Sequence, residues 1–267
     1  MIGIFDSGVG GMTVARAIEQ LLPDLPYVYF GDLAHSPYGS KSPEMLIEYA
    51  CRNTDFLLKQ GAKIIVIACN SAASAASGAL AARYSLPLID VISPAVQAAA
   101  RLSQNSRIGL IGTRATVNSG VYATRLQEIR PDCRIFSQAC PLLVPLVEEG
   151  WLDRRETKTI VRSYLRPLRN RQIDTLILGC THYPLLTGII GPCIGKRVRI
   201  VSSSGEVARH LKELLDAQPS LYAALRAPGL ANRYYVSDLP APVGSLAAAI
   251  FGRPVHLEND RDRKSVV

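Results

Sequence analysis

Two cysteines stand out by position. Cys69 and Cys180 each close an apolar run of strand length, and small polar residues follow each: Asn70 and Ser71 after the first, Thr181 and His182 after the second. The carboxyl end of a buried parallel strand is where open α/β sheets hold their ligands. Backbone N–H groups at a following helix start attract an anion, and the same field is expected to lower a nearby thiol pKa. Two such thiols on opposite sides of one small ligand suit a specific reaction: a proton leaves one face of a carbon and another arrives at the opposite face. A free thiol with a pKa of ~8.5 is only slightly ionised at neutral pH, so it needs activation. The candidate partners are Asp6 at the end of the first strand, His182 beside Cys180, and Glu148 and Glu149 behind the apolar run Leu142 to Val147.

Each candidate also has a plainer reading. A lone cysteine is most simply a small core residue. Asp6-Ser7-Gly8-Val9-Gly10-Gly11 reads equally as a turn and helix cap. It is not a dinucleotide fingerprint, because its G-x-G-G spacing lacks the third glycine. His182 could be structural, Tyr38-Gly39 an ordinary turn, and Glu148-Glu149 a solvated helix face. It is the matched pair of cysteines that favours chemistry. None of the six cysteines, at 51, 69, 133, 140, 180 and 193, forms a C-x-x-C pair. Spacing therefore gives no support to a zinc or redox site, and free thiols are expected.

The elements that would position these residues alternate in type. Strands are expected at Ile2 to Phe5, Tyr27 to Gly31, Ile64 to Cys69 and Leu88 to Val91. Helices are expected at Met12 to Leu22, Pro43 to Gln60, and from Cys69 to about Tyr84. This alternation predicts parallel β-α units with helices on both sheet faces. The pattern then restarts. Strands are expected at Arg107 to Gly112, Arg134 to Ser137, Asp174 to Cys180 and Arg197 to Ser202. Helices are expected at Val117 to Ile129, Asp153 to Asn170 (with Pro167 kinking or ending it) and Gly205 to Ala217. The run Ile2 to Gly8 resembles Ile108 to Thr113, and Lys63 to Ser71 resembles Asp174 to His182. Two matched segments in the same order point to an internal duplication: two similar α/β domains facing each other across the cysteines. Beyond Leu221, a short strand at Tyr234 to Ser237 and a helix at Pro242 to Phe251 are expected, followed by a polar, mobile tail from Glu258.

Composition narrows the function classes. The chain has 267 residues, 48% apolar and 19% charged. That is too apolar and too weakly charged for a disordered protein. The longest apolar runs fall far short of the roughly 20 residues that a spanning helix needs. No basic stretch with an apolar segment opens the sequence, so the cytoplasm is the expected location. The net charge of +8 favours anionic partners without choosing among them. The basic residues are scattered, densest at Arg162 to Arg171 and Arg261 to Lys264, and only 6% of residues are aromatic. A solvated basic surface is therefore expected rather than a nucleic-acid site.

Taken together, these motifs resemble the glutamate racemases of the cofactor-independent aspartate/glutamate racemase superfamily. The resemblance rests on Ile4 to Gly11, Tyr29 to Asp32 with Pro37-Tyr38-Gly39, Ala68 to Ala72, Cys140-Pro141-Leu142 with Val144 to Gly150, and Leu178 to Pro184. Weaker similarity continues to about Ala208. The resemblance implies that Cys69 and Cys180 are the two acid/base groups, with Asp6, Glu148 and His182 supporting proton movement. It implies that Asp6, Ser7, Asn70, Ser71, Thr181 and His182 hold the amino acid's α-groups, while Tyr38 and Gly39 recognise its side-chain carboxylate. It further implies no metal, no pyridoxal phosphate or other cofactor, and L- or D-glutamate as substrate. The product D-glutamate would serve cytoplasmic peptidoglycan synthesis. No membrane or nucleic-acid partner is expected, and a homodimer is compatible, although the residues themselves give no oligomeric state. The implied domains are 1–94 with 205–267, and 95–204 inserted between them.

Three positions depart from the family pattern: Ser71 stands where threonine is usual, Ser93-Pro94-Ala95 where Glu-Pro-Gly is common, and Ser202-Ser203-Ser204 where Asp-Ser is common. The last two remove carboxylates near the interdomain region. The alternatives are an aspartate racemase and a non-enzymatic binding protein that uses the basic surface.

Overall fold

The computed structural model describes residues 1–227 and 229–260. Its first half runs β1 (Ile2–Asp6), α1 (Met12–Leu21), β2 (Tyr27–Gly31), α2 (Pro43–Lys59), β3 (Ile64–Ile67), α3 (Asn70–Arg83), β4 (Leu88–Asp90) and α4 (Ile92–Leu102). The second half runs β5 (Arg107–Gly112), α5 (Arg114–Asn118), α6 (Val121–Ile129), β6 (Arg134–Ala139), α7 (Leu143–Glu148), α8 (Arg155–Asn170), β7 (Thr175–Gly179), a 3₁₀ turn at Tyr183–Leu186, α9 (Thr187–Ile194) and β8 (Arg199–Ser202). The chain then returns through α10 (Ser203–Ala217), α11 (Pro219–Leu225), β9 (Arg233–Val236), α12 (Ala241–Phe251) and β10 (Glu258–Asn259).

All strand pairs are parallel, in two sheets ordered β10-β9-β2-β1-β3-β4 and β6-β5-β7-β8. The inner strands β1, β2, β3 and β7 are buried throughout. Parallel sheets covered by helices on both faces demand this, and it explains their unbroken apolar runs. The second sheet repeats the order β2-β1-β3-β4 of the first. The register repeats too: Ile4 pairs with Val66 and Leu110 with Ile177, at matching places in the two halves. This architecture of two parallel-sheet α/β units brings the ends of β3 and β7 to equivalent heights.

Several local expectations are corrected. The helix expected over Val117 to Ile129 is two helices, α5 and α6, because Gly120 adopts φ +68° and turns the chain. Pro167 does not end α8, which continues to Asn170. Proline there costs only one N–H close to the helix terminus, and Val161, Leu165 and Leu168 anchor the helix in the core. Leu143–Glu148, Ile92–Leu102 and Thr187–Ile194 are helices that the sequence pattern had not indicated. The tail expected to be mobile begins instead with a strand, Glu258–Asn259, paired with Tyr235 and Val236. Its remainder, 261–267, lies outside the described residues.

Candidate active site

The site forms where the two sheets' carboxyl ends meet. Ser7 follows β1, Cys69 precedes α3, Thr113 follows β5 and Cys180 follows β7. These residues and Asn70, Ser71, Thr181 and His182 line one cavity of about 220 Å³. Tyr38, Gly39 and their neighbours Ser36 to Ser40 form one wall, and Pro141, Val144 and Pro145 from the α7 segment form another. Both cysteines are 5% exposed and both face this cavity. All six cysteines are free thiols, five of them buried.

The two thiols have unlike surroundings. Cys69 sits at the cap position of α3, where the Ala72 N–H and the Ser7 hydroxyl favour its thiolate. Burial and the nearby Asp6 carboxylate outweigh them and push the thiol up to about 12. The lowering expected from the helix start is thus overturned: desolvation of a fully enclosed sulfur exceeds two hydrogen bonds. On the other side, His182 Nδ1 lies 3.8 Å from Cys180 Sγ, and its Nε2 lies 3.2 Å from Glu148 Oε1. Burial alone would drive the imidazole towards its neutral form. Hydrogen bonds to Cys180 and Glu148, with their charges, reverse this and carry the imidazolium up to about 10. At neutral pH His182 is therefore a proton donor held against one sulfur.

Asp6 does not line the cavity. It is fully buried, with Oδ2 accepting from the Gly8 and Gly11 N–H groups at 3.1 and 3.0 Å and Oδ1 accepting from the Thr181 hydroxyl at 3.3 Å. Burial raises its pKa despite His182 and those donors. Glu148 is also outside the cavity; it faces a neighbouring hollow with Glu149 and reaches the site only through His182. Gly10 explains part of the glycine-rich turn. A Cβ there would stand 2.7 Å from Thr181 Oγ1 and would also collide with the His182 ring, so only glycine lets the first turn pass beneath them.

Other predicted residues are brought to the cavity with part of their polar capacity spent. The Tyr38 hydroxyl donates to Asp32 Oδ2 at 2.5 Å and accepts from Asn53 at 3.1 Å, so the ring rather than the hydroxyl is presented. The Asn70 amide accepts from Tyr122 at 2.6 Å and donates to Ser203 at 3.3 Å. Ser71 Oγ lies 2.8 Å from Thr113 Oγ1. Next to Ser202, Ser203 donates to the Leu178 carbonyl and Ser204 lies 2.8 Å from Thr13, tying α10 to both halves. At the other departure, Asp90 supplies a carboxylate that accepts from the Ile92 and Ser93 N–H groups and pairs with Arg125 at 2.7 Å.

Sequence reasoning gave no site role to Thr113, Arg114, Ser36 or Ser40. The signal for Thr113 was present, since it occupies in β5 the place of Ser7 in β1. Among the described residues no lysine lines the cavity to anchor a carbonyl cofactor, and no three His, Cys, Asp or Glu side chains gather as a metal site. The arrangement can hold a small anionic molecule between two thiols, each with its own proton-handling partner.

Comparison with known proteins gives the family and the fold. Residues 10–211 match the family model described as Asp/Glu/Hydantoin racemase. A glutamate racemase of Geobacter metallireducens is 44% identical over 240 residues, covering 90% of this chain and 88% of the relative. A glutamate racemase isoform of Bacillus anthracis superposes with a TM-score of 0.91 at 36% identity, covering 97% of this chain and 96% of that one. A glutamate racemase of Francisella tularensis, solved in complex with D-glutamate, superposes with a TM-score of 0.88 at 32% identity, again covering 97% and 96%.

Proposed function

The chain belongs to the Asp/Glu/hydantoin racemase family and groups with its glutamate racemases, and from that premise we propose that it interconverts L- and D-glutamate by two-base proton transfer between Cys69 and Cys180. One sulfur, as thiolate, takes the α-hydrogen as a proton and becomes a thiol, leaving the electron pair on carbon. The opposite thiol gives its proton to the other face and becomes the thiolate. Roles reverse for the other enantiomer, and no net proton, electron or co-reactant is consumed. One observation carries this reading: both thiols face the same small cavity.

The costly step is charge at a carbon beside a carboxylate, without an electron-sink cofactor. Hydrogen-bond donors around an enclosed site offset it, and Ser7, Ser71, Thr113 and Thr181 line the cavity to provide them. His182 holds a proton at Cys180 and Glu148 keeps it there. Asp6 orders Thr181 and the Gly8 to Gly11 turn below Cys69. Tyr38 and Gly39 wall the end that receives the substrate's side chain. The proposed setting is the cytoplasm, where D-glutamate is consumed in peptidoglycan synthesis. Among the described residues no helix is long and apolar enough to cross a membrane.

Circular dichroism of purified protein with L-glutamate, without added cofactor and alongside deuterium uptake at Cα, tests the reading. Loss of optical activity with one deuterium per inversion is expected. Cys69→Ala and Cys180→Ala should each abolish inversion; inversion at near wild-type rate in either variant overturns the assignment. Comparing initial rates on L-glutamate and L-aspartate tests the substrate, with a clear preference for glutamate expected.

A further inference from the structure

The substrate cavity has two neighbouring hollows of opposite character. On one side it shares Ser36 and Pro37 with a hollow lined by Glu148 and Glu149. On the other it shares Gly39, Ser40 and Arg114 with a groove of about 620 Å³ between α2, α3 and α5. That groove carries Lys41 and Arg114, and neither it nor the substrate cavity is lined by any Asp or Glu. Among the described residues, Arg114 and Lys41 are in no ion pair. Elsewhere some cations are neutralised, as at Arg83–Asp55, Arg125–Asp90 and Arg209–Glu206. An unneutralised guanidinium at the boundary of a carboxylate-free cavity attracts an anion, and its fork matches a carboxylate.

We propose that Arg114, backed by Lys41, is a substrate-selecting residue. It takes the side-chain carboxylate of a dicarboxylic amino acid that enters through the cationic groove, while the acidic hollow on the far side repels the same molecule. This rests on the racemase reading for the chemistry but not for the binding. Glutamate carries two carboxylates and one ammonium. The donors between Cys69 and Cys180 serve the α-carboxylate, and the Tyr38 hydroxyl is already committed to Asp32. Among the described residues, Arg114 is the one full positive charge lining the cavity that does not belong to the proton relay.

The experiment uses the full chain and its Arg114→Gln, Arg114→Lys and Lys41→Gln variants, with Arg162→Gln on the exposed face of α8 as a control for net charge. KM and kcat are measured for L- and D-glutamate, and the Kd of L-glutamate by calorimetry, at low and high salt. Arg114→Gln should raise KM and Kd about three- to fivefold at low salt, with a much smaller change in kcat, because a rim-exposed charge contributes binding more than transition-state stabilisation. Lys41→Gln should act in the same direction more weakly, and Arg114→Lys should recover most of the loss. High salt should narrow the gap between wild type and Arg114→Gln, and Arg162→Gln should match wild type. Unchanged KM and Kd in Arg114→Gln, or a loss confined to kcat, overturns the proposal while leaving the racemase reading intact. Arg114-dependent binding of glutamate without any inversion by the wild type supports this proposal and overturns the other.

Discussion

Replacing Glu148 by glutamine tests the relay at Cys180 without touching a cavity-lining residue. Glu148 Oε1 lies 3.2 Å from His182 Nε2. A unit charge pair at that distance is worth ~5 kcal/mol at an effective dielectric constant near 20. The Glu148 side chain is 36% exposed, so water screens much of this. Removing an anion disfavours the imidazolium, so the His182 pKa moves down from about 10. The assay is the pH profile of racemisation, whose alkaline limb should move to lower pH. The equilibrium constant between enantiomers is unity, so kcat/KM must stay equal in the two directions. Asymmetry appears instead in the isotope effect of α-deuterated substrate. Weakening only the Cys180 side should make the effects for the L and D isomers unequal. An alkaline limb that does not move, or equal isotope effects in both directions, refutes the role of Glu148 as keeper of the His182 proton.

Further outcomes follow from the same contacts. Gly10→Ala drives a methyl group against Thr181 and His182; a loss of about 1–3 kcal/mol in a denaturant titration is expected, with racemisation falling about a hundredfold from the displaced relay. Tyr38→Phe removes the bonds to Asp32 and Asn53; the melting temperature should drop a few degrees, in line with about 1–2 kcal/mol. His182 is raised from 6.5 to about 10, so its contribution to stability is complete below pH 6.5 and is lost as pH rises through 10. Melting temperatures across that interval should fall in the wild type, and His182→Asn should flatten that part of the slope. Racemisation should survive exhaustive dialysis against a chelator in the absence of pyridoxal phosphate, as rates before and after treatment will show.

The sequence made much of this readable because parallel strands buried on both faces must be continuous apolar runs, and their ends are marked by polar residues. Cys69 and Cys180 could be found from that rule alone. What it hid were the short helices. Leu143–Glu148 contains Pro145 and Thr187–Ile194 contains Pro192, and both are too short and apolar to show an amphipathic period, whereas Ile92–Leu102 does carry an apolar face of Ile92, Ala95, Val96 and Ala99 that the small residues around Pro94 obscured. Tertiary packing stabilises such elements. Electrostatics were the least legible. The helix start at Cys69 promised a lowered thiol pKa, yet burial with Asp6 nearby produces the opposite, and burial is a property of the assembled fold. Arg114 was invisible for a related reason: an exposed arginine after a strand is commonplace until the opposite wall, Gly39 and Ser40 from the other half, is in place.

The duplication also explains why the site is asymmetric. Matching registers place Ser7 opposite Thr113 and Cys69 opposite Cys180 in the repeat, so the scaffold delivers two thiols and two hydroxyls nearly as mirror contributions. The proton-handling groups do not follow the repeat. Asp6 on β1 corresponds to Gly112 on β5, and His182 corresponds to Ser71. One sulfur therefore sits near a buried carboxylate, which adds to burial in raising its pKa, and the other lies 3.8 Å from a buried imidazole that Glu148 helps to hold protonated. A two-base racemase needs one thiolate and one thiol at the start of each turnover, and a symmetric pair would be equally content with both sulfurs protonated. Departures from the repeat at positions 6 and 182 give the two sulfurs unlike partners, a carboxylate near one and a proton donor beside the other. Removing both groups, as in Asp6→Asn combined with His182→Asn, should therefore lower kcat for inversion in both directions more than either single substitution, as rates on L- and D-glutamate will show.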